Sequence, residues 1–230
     1  MEAVILAGGL GTRLRAAVPD FPKPMAAIAG GPFLEILLTS LARKGFCRII
    51  LSLGHMAEKV VSYFGSSFAG MSLVYEIEAV PLGTGGALRR ALAHASSDHV
   101  FVFNGDTFLD LEVSRLEAFW QAHRLPVIVG KNVPDTRRYG RLETADQRIV
   151  GFTAKNMPGP GLINAGCYVL PKDALDMFEL GRPFSLEADF LLMAVKSQHF
   201  ALFMTDGFFI DIGIPEDYLR AQAQLGGILS

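Results

Sequence analysis

The chain has 230 residues, of which 50% are hydrophobic and 19% charged, and its formal net charge is −2 at neutral pH. This composition is typical of a globular chain with a full core and excludes a disordered one. The near-neutral charge argues against a nucleic-acid-binding surface, which normally carries a basic excess. No apolar run approaches the roughly 20 residues that span a bilayer, so no membrane association is expected.

The two cysteines and the N-terminal run indicate the compartment. Cys47 and Cys167 stand in apolar, strand-like runs, with neither a C-x-x-C pair nor a metal-like spacing. We therefore predict reduced, buried thiols in a cytoplasmic protein. The run Met1–Leu6 lacks a basic leader, and we interpret it as a buried strand rather than as a signal peptide.

Short apolar runs alternate with amphipathic segments over the first 131 residues, a pattern that predicts a parallel sheet covered by helices. We predict strands at Ala3–Ala7, Arg48–Leu53, Leu73–Ile77, Val100–Phe103 and Val127–Val129. The helices predicted between them are Pro32–Lys44, Ala57–Phe64, Gly85–Ala95 and Val113–His123.

Beyond residue 132 the pattern changes to successive strands with little helix between them. We predict strands at Tyr139–Glu143, Ile149–Thr153, Leu162–Leu170, Ala201–Met204 and Phe208–Ile212, and helices at Ala174–Phe178, Ser185–Lys196 and from Pro215 onward. The fold expected is a single α/β domain over residues 1–230, with a Rossmann-like, mixed and mostly parallel sheet flanked by helices. Residues from about 132 to 230 are expected to receive a second substrate.

The first strand runs directly into the glycine-rich segment AGGLGTRL at residues 7–14, and PKPM follows at residues 22–25. Glycine-lined amides form a concave anion site. The Arg13 guanidinium and the Lys23 ammonium suit phosphate oxygens. A Walker loop is excluded because Gly-Lys-Ser/Thr occurs nowhere, and a Rossmann fingerprint is excluded because Leu14 stands at its third glycine.

Two acids in distant segments have the character of metal ligands. Asp106 follows a buried strand, at the end where open α/β sheets bind ligands. Asp211 lies in the apolar stretch at residues 208–215, where an unpaired charge would be costly. Two such carboxylates together with phosphate oxygens form the usual oxygen shell of Mg²⁺.

A second glycine cluster, PLGTGGA at residues 81–87, opens a predicted helix. Its simplest interpretation is a flexible helix entry with Thr84 as the N-cap. The alternative is a loop whose main-chain groups contact a ligand. Asn164 interrupts an apolar strand, and a buried amide there requires hydrogen-bond partners.

Together these motifs resemble the sugar-1-phosphate nucleotidyltransferases, from Ala3 to about Gln222. The likeness is carried by G-G-x-G-T-R-L followed by P-K-P, by an aspartate after a central strand, and by the late segment DIGIP at residues 211–215. The resemblance implies a GT-A-like fold in which residues 1–131 bind the nucleotide and residues 132–230 bind the sugar phosphate.

The resemblance also implies site residues. Arg13 and Lys23 would be catalytic, and Asp106 and Asp211 would hold Mg²⁺. Residues implied in nucleotide binding are Leu6, Ala7, Gly8, Gly9, Gly11, Thr12, Gly83, Thr84, Gly85 and Asn104, and those implied in sugar-phosphate binding are Gly105, Lys155, Asn164 and Glu187. Ala154 stands before Lys155 where the family has an acid, and Glu187 is equally well explained as a capping-turn acid after Ser185.

Within the family, the segments at residues 82–86, 161–166 and 209–218 are most similar to members that use GTP and a heptose 1-phosphate. A uridylyl-, thymidylyl- or cytidylyltransferase acting on a hexose 1-phosphate stays open, as does a catalytically silent subunit that binds nucleotide sugars. The partners implied are GTP and a sugar 1-phosphate, with no nucleic acid and no membrane. Whether the chain forms a homodimer also stays open.

Overall fold

The structure, a computed structural model, describes residues 1–9, 11, 14, 21–153 and 156–227. Its strands are β1 Glu2–Leu6, β2 Ala27–Ile28, β3 Gly31–Pro32, β4 Arg48–Leu53, β5 Ser67–Phe68, β6 Met71–Ile77, β7 His99–Asn104, β8 Thr107–Leu109, β9 Val127–Val133, β10 Leu142–Ala145, β11 Arg148–Phe152, β12 Gly161–Pro171, β13 Phe200–Met204 and β14 Phe209–Asp211. Its α-helices are α1 Phe33–Arg43, α2 Ala57–Phe64, α3 Gly83–Ala91, α4 Val113–His123, α5 Leu192–Ser197 and α6 Pro215–Gln224. Single turns of 3₁₀-helix cover Lys23–Met25 and Leu92–His94, and a π-helical turn covers Leu186–Leu191.

Ten strands form one mixed sheet in the order β10-β11-β13-β9-β12-β7-β1-β4-β6-β5. The strands β7, β1, β4 and β6 run parallel to one another. The long strand β12 is antiparallel to β7 on one side and to β9 on the other, so strands from both parts of the chain belong to the same sheet. The predicted mixed α/β sheet flanked by helices is confirmed.

The central strands are buried on both faces, because their side chains alternate between two apolar clusters. Ile5 of β1 and Phe101 of β7 belong to the cluster that helices α1, α2 and α4 cover. Val4 and Val102, their neighbours in sequence, face the opposite cluster, which α3 and α5 cover. The continuous apolar runs in the sequence are therefore strands covered by helices on each side.

A third apolar cluster contains side chains from the short strands β8 and β14. The two-stranded sheet of β8 and β14 packs there with α1 and α6, and Phe108, Ile210 and Ile212 contribute its strand side chains. Within the part of the chain that the structure describes, no helix is long and apolar enough to cross a bilayer.

Two predicted helices differ from the structure. Residues 174–178 form successive tight turns in place of a helix, with Ala174, Asp176 and Phe178 each donating to a carbonyl three residues earlier. The stacking of the Phe178 ring on Phe184, with centroids 4.0 Å apart, holds this segment in place. The single helix predicted at Ser185–Lys196 is a π-helical turn followed by α5, although Ser185 is its N-cap as predicted.

The prediction for the two cysteines is half correct. Cys167 lies in β12 and is buried, and its burial raises the pKa of the thiol. Cys47 is exposed, because it precedes β4 at the surface, where its Sγ donates to the carbonyl of Met1 over 3.3 Å. Its apolar neighbours are buried instead, with Phe46 before it and β4 from Ile49 onward.

Candidate active site

A cavity of about 370 Å³ opens at the carboxyl ends of the parallel strands β1, β6 and β7. The segments that follow those strands supply most of its wall, as expected for an open α/β sheet. Its lining includes Leu6, Ala7, Gly8, Gly9, Gly11, Lys23, Gly83, Thr84, Asn104, Gly105 and Asp106, all of which the sequence placed in a site, together with Pro24, Ser52, Glu78, Pro81, Ala87 and Gly213. Thr12 and Arg13 lie outside the described residues, as does Lys155.

Lys23 lies on the cavity wall, between Pro22 and Pro24, and is the first residue of a 3₁₀ turn. Its Nζ atom is 2.5 Å from Oδ2 of Asp106, and its side chain is 11% exposed. The Lys23 ammonium is thus fixed against a carboxylate at the floor of the cavity. An ammonium held in this way offers a point charge to a phosphate that enters beside it.

The antiparallel pairing of β14 with β8 brings Asp211 beside Asp106. Asp211 lies opposite Thr107 in this pair, and the N–H of Ile212 donates to the carbonyl of Asp106 over 2.9 Å. A Cβ atom on Gly213 would lie 2.7 Å from Oδ1 of Asp211 and 3.2 Å from Nζ of Lys23. The structure therefore brings together Lys23, Asp106 and Asp211, which are far apart in sequence.

Burial raises the pKa of the Asp211 carboxyl, and the negative charge of Asp106 raises it further. Two adjacent carboxylates of this kind stabilise a cation between or beside them. No cluster of three or more His, Cys, Asp or Glu side chains that could hold a metal occurs among the described residues. A pair of carboxylates nevertheless fits Mg²⁺, which is usually bound through one or two carboxylates plus substrate phosphates and water.

Arg138 is a component of the site that the sequence analysis missed. One of its guanidinium nitrogens is 3.2 Å from Oδ2 of Asp211, and the other pairs with Asp217 in the first turn of α6. Asp217 is 4% exposed and also accepts from Arg220 over 2.7 Å. In the sequence Arg138 looks like a solvated cation beside Arg137, because both of its partners lie more than 70 residues away in the chain.

Glu78 is a second missed residue, at the opposite end of the cavity. It follows β6 directly, and its Oε2 accepts the N–H of Leu82 over 2.8 Å. A Cβ atom on Gly8 would lie 2.8 Å from Glu78 Oε1, so glycine leaves room for the carboxylate. Burial raises the pKa of Glu78. The rule that identified Asp106, an acid just beyond a buried parallel strand, would also have identified Glu78.

The second glycine cluster is only partly in the cavity wall. Gly83 and Thr84 line the cavity, and Gly83 has a φ of +68°, which favours glycine. Gly85 lies outside the lining, and its N–H donates to the carbonyl of Phe184 over 3.0 Å. The interpretation of Thr84 as the helix N-cap is wrong, because Leu82 occupies that position.

The residues predicted to bind the sugar phosphate fall into two places. Gly105 lines the cavity, whereas Asn164 and Glu187 lie beyond it, where Nδ2 of Asn164 is 3.3 Å from Oε1 of Glu187. The same nitrogen donates to the Tyr168 hydroxyl over 2.7 Å. Gly166 follows Asn164 by two residues in β12 and packs against Asn104 in the cavity wall, since a Cβ atom on Gly166 would lie 2.6 Å from Nδ2 of Asn104. Strand β12 therefore connects the Asn164–Glu187 pair to the cavity wall.

A family model described as Nucleotidyl transferase matches residues 2–226 of the chain. The chain therefore belongs to the nucleotidyl transferase family, and the resemblance seen in its motifs is confirmed.

Individual relatives match over nearly the whole length. The D-glycero-α-D-manno-heptose 1-phosphate guanylyltransferase of Aneurinibacillus thermoaerophilus is 38% identical over 226 residues, which cover 98% of each chain. The protein of the same name from Campylobacter jejuni is 40% identical over 219 residues, covering 95% of this chain and 97% of its own. The crystal structure of HddC from Yersinia pseudotuberculosis superimposes with a TM-score of 0.88 at 38% identity, over 97% of this chain and 98% of HddC. HddC complexed with GMP-PN gives a TM-score of 0.87.

The ion pairs of Arg138 lead to a stability prediction. Arg138→Gln leaves the buried Asp217 carboxylate with one fewer charged partner, and we expect a loss of about 1–3 kcal/mol in the free energy of unfolding. Urea denaturation measures this loss. The matched control is Arg137→Gln, because the Arg137 side chain is 68% exposed and pairs with Asp135 at the surface, and it should leave the denaturation midpoint unchanged. Equal effects of the two variants would contradict a structural role for the Arg138 pairs.

Proposed function

We propose that the chain transfers GMP from GTP to D-glycero-α-D-manno-heptose 1-phosphate, forming the GDP-heptose and pyrophosphate. Its membership of the nucleotidyl transferase family and its full-length similarity to two heptose 1-phosphate guanylyltransferases support this reaction. The proposal includes a cytoplasmic location, since the sequence predicts reduced thiols and both cysteines are unpaired.

The observation that carries the guanine assignment is the carboxylate of Glu78 in the cavity. A carboxylate only accepts hydrogen bonds. Guanine presents two adjacent donors on one edge, N1–H and the N2 amino group, which match the two oxygens of a carboxylate. Adenine and cytosine place a ring acceptor beside their amino group, and uracil and thymine flank a single N–H with two carbonyl oxygens. Each of the other bases therefore turns at least one acceptor toward Glu78.

The remaining cavity residues suit a triphosphate. The backbone around Gly8, Gly9 and Gly11 would face the phosphates, with the side chain of Thr12 beside them. Arg13 would hold the β- and γ-phosphates and the leaving pyrophosphate. Lys23 would lie between the α-phosphate and the incoming sugar phosphate, where its charge offsets their repulsion as they approach.

The sugar phosphate needs no side-chain base, because a phosphate monoester is already ionised near neutral pH. Its oxygen would attack the α-phosphorus in line with the departing pyrophosphate, so the protein contributes positioning and charge neutralisation. Asp106 and Asp211 would hold Mg²⁺, which supplies positive charge to the phosphate oxygens when bound. In the structure Lys23 is already paired with Asp106, so the ammonium is positioned before any substrate arrives.

On the sugar side, Asn164 and Glu187 would hydrogen-bond the hydroxyl groups, Gly105 would lie beside the phosphate, and Lys155 would bind it. Ala154 stands where the family has an acid before this lysine, so the chain has one hydroxyl partner fewer at that point. Discrimination between sugars is therefore expected to be looser than discrimination between nucleobases.

The reaction is tested by measuring pyrophosphate release from GTP, UTP, dTTP and CTP, each with heptose and hexose 1-phosphates. We expect GTP with the manno-configured heptose 1-phosphate to give the highest kcat/KM. Preference for UTP or dTTP would overturn the guanylyl assignment. No release from any pair would favour a silent nucleotide-sugar-binding subunit.

Replacement of Glu78 tests the basis of guanine recognition. Glu78→Gln substitutes an amide donor for one of the two acceptor oxygens, so we expect kcat/KM for GTP to fall by roughly 10²-fold or more, while KM for the sugar phosphate changes little. Glu58→Gln on the exposed side of α2 is the matched control and should behave as the wild type. An unchanged preference for GTP in Glu78→Gln would show that Glu78 does not recognise the base.

The pH dependence of the same variant provides a second measurement. Because the pKa of Glu78 is raised by burial, its carboxyl takes up a proton at a higher pH than an exposed glutamate does. The protonated form has lost an acceptor, so kcat/KM for GTP should fall as the pH is lowered through this pKa. The Glu78→Gln profile should lack that acid limb, and a limb that persists in the variant belongs to another group.

The carboxylate pair is tested by Asp106→Asn, Asp211→Asn and the double variant. Each single variant should slow turnover and raise the Mg²⁺ concentration needed for half-maximal rate, and the double variant should be barely worse than either, because residues that share one ion act as a unit. Asp110→Asn, an exposed neighbour paired with Lys44, is the control. Fully additive losses would mean that the two carboxylates do not share an ion.

A further inference from the structure

The loop that opens α3 is held by the segment that leads into the π-helical turn; we call these two stretches, residues 82–86 and 182–186, the clasp. The N–H of Phe184 donates to the carbonyl of Leu82 over 2.9 Å, and the N–H groups of Gly85 and Gly86 donate back to the carbonyl of Phe184 over 3.0 and 3.3 Å. The Thr84 side chain adds a further bond, in which Oγ1 accepts the N–H of Leu186 over 3.0 Å.

Steric contact makes the clasp tight. A Cβ atom on Gly83 would lie 2.6 Å from the carbonyl oxygen of Phe184, and one on Gly85 would lie 2.2 Å from its ring. The Phe184 ring is 7% exposed and stacks on Phe178 at an interplanar angle of 9°. The glycines of the loop thus make room for Phe184, which fixes the position of the segment that follows it.

The segment fixed in this way carries Glu187. Leu186 is the first residue of the π-helical turn, so its N–H has no partner within the helix. Leu186 is 2% exposed, and the Thr84 hydroxyl supplies the acceptor that this buried N–H needs. Glu187 comes next in the chain, is exposed, and lies within 3.3 Å of Asn164.

We propose that Thr84 is a positioning residue for the sugar 1-phosphate, although it lies in the wall of the nucleotide cavity. This inference rests on the proposed function for the role of Glu187 in sugar binding. Thr84 anchors the first turn of the π-helix through Leu186, and that anchor fixes where the Glu187 carboxylate meets Asn164. Loss of the hydroxyl frees a buried N–H, shifts the turn and misplaces Glu187, while the Glu78 end of the cavity keeps its geometry.

The test compares Thr84→Val, Thr84→Ser and the wild type. Thr84→Val should raise KM for the heptose 1-phosphate by about 3–10-fold, the equivalent of one net hydrogen bond, and should raise KM for GTP by a smaller factor. Thr84→Ser keeps the hydroxyl and should restore the wild-type values. Thr205→Val, which removes a hydroxyl bonded to Glu112, is the matched control and should change neither KM. A rise confined to KM for GTP would overturn the inference.

A double-mutant cycle tests whether Thr84 acts through Glu187. In a Glu187→Gln background, Thr84→Val should raise KM for the sugar phosphate no further, because the group that it positions has already been lost. Fully additive effects of the two substitutions would show that Thr84 does not act through Glu187 and would overturn the inference.

Amide hydrogen exchange provides a readout that needs no turnover. Peptides that cover residues 185–191 should exchange faster in Thr84→Val than in the wild type and in Thr84→Ser, whereas peptides from α2 should be unchanged. Equal exchange of residues 185–191 in all three proteins would overturn the anchor itself. A wild-type enzyme that releases no pyrophosphate would overturn the proposed function instead, and the exchange experiment would still decide the anchor.

Discussion

The site depends on the short antiparallel pairing of β8 and β14, which places two carboxylates side by side. Asp106 precedes β8 and Asp211 ends β14, and each would repel the other in a partly buried position. Lys23 on one side and Arg138 on the other supply compensating charges. Arg138 also pairs with Asp217, which in turn pairs with Arg220, so the connected cluster is balanced, with three negative and three positive groups.

This charge balance has a consequence for catalysis. A triphosphate adds negative charge to a site whose cations already face carboxylates, so a divalent ion on those carboxylates would leave Lys23 free to interact with phosphate. The ammonium would then need only a small shift from Asp106 toward the reacting phosphates. A preorganised cation of this kind avoids the reorganisation that a flexible surface lysine would require.

Much of the fold could be predicted because its signals are local. Helices α2 and α4 and strand β4 have the bounds predicted from the sequence, since their apolar periodicity and end signals are strong. The turns at residues 174–178 could not be predicted, because the stacking of Phe178 on Phe184 and the ion pair of Arg89 with Asp176 determine that segment. The partner of Asp176 lies more than 80 residues earlier in the chain, outside any sequence window of helical length.

The same distinction holds in the site. Lys23, Asp106 and Asp211 could be identified because each stands in an unusual sequence context, between prolines, after a buried strand or within an apolar stretch. Arg138 could not, because nothing around it in the sequence shows that it pairs with Asp211 and Asp217. Glu78 is intermediate between these cases. It follows a parallel strand, where ligands bind in open α/β sheets, but the residues around it do not indicate a site.

The two glycine clusters show why a motif alone does not fix a mechanism. Near the N-terminus, Gly8 leaves room for the carboxylate of Glu78, so its small size serves the ligand cavity. In the second cluster, Gly83 and Gly85 leave room for Phe184, so their small size serves packing. The sequence pattern is similar in both cases, but the second cluster joins the nucleotide wall to the segment that carries Glu187. Under the proposed function, glycines that look like ligand contacts would thereby give the nucleotide and sugar sites one shared support.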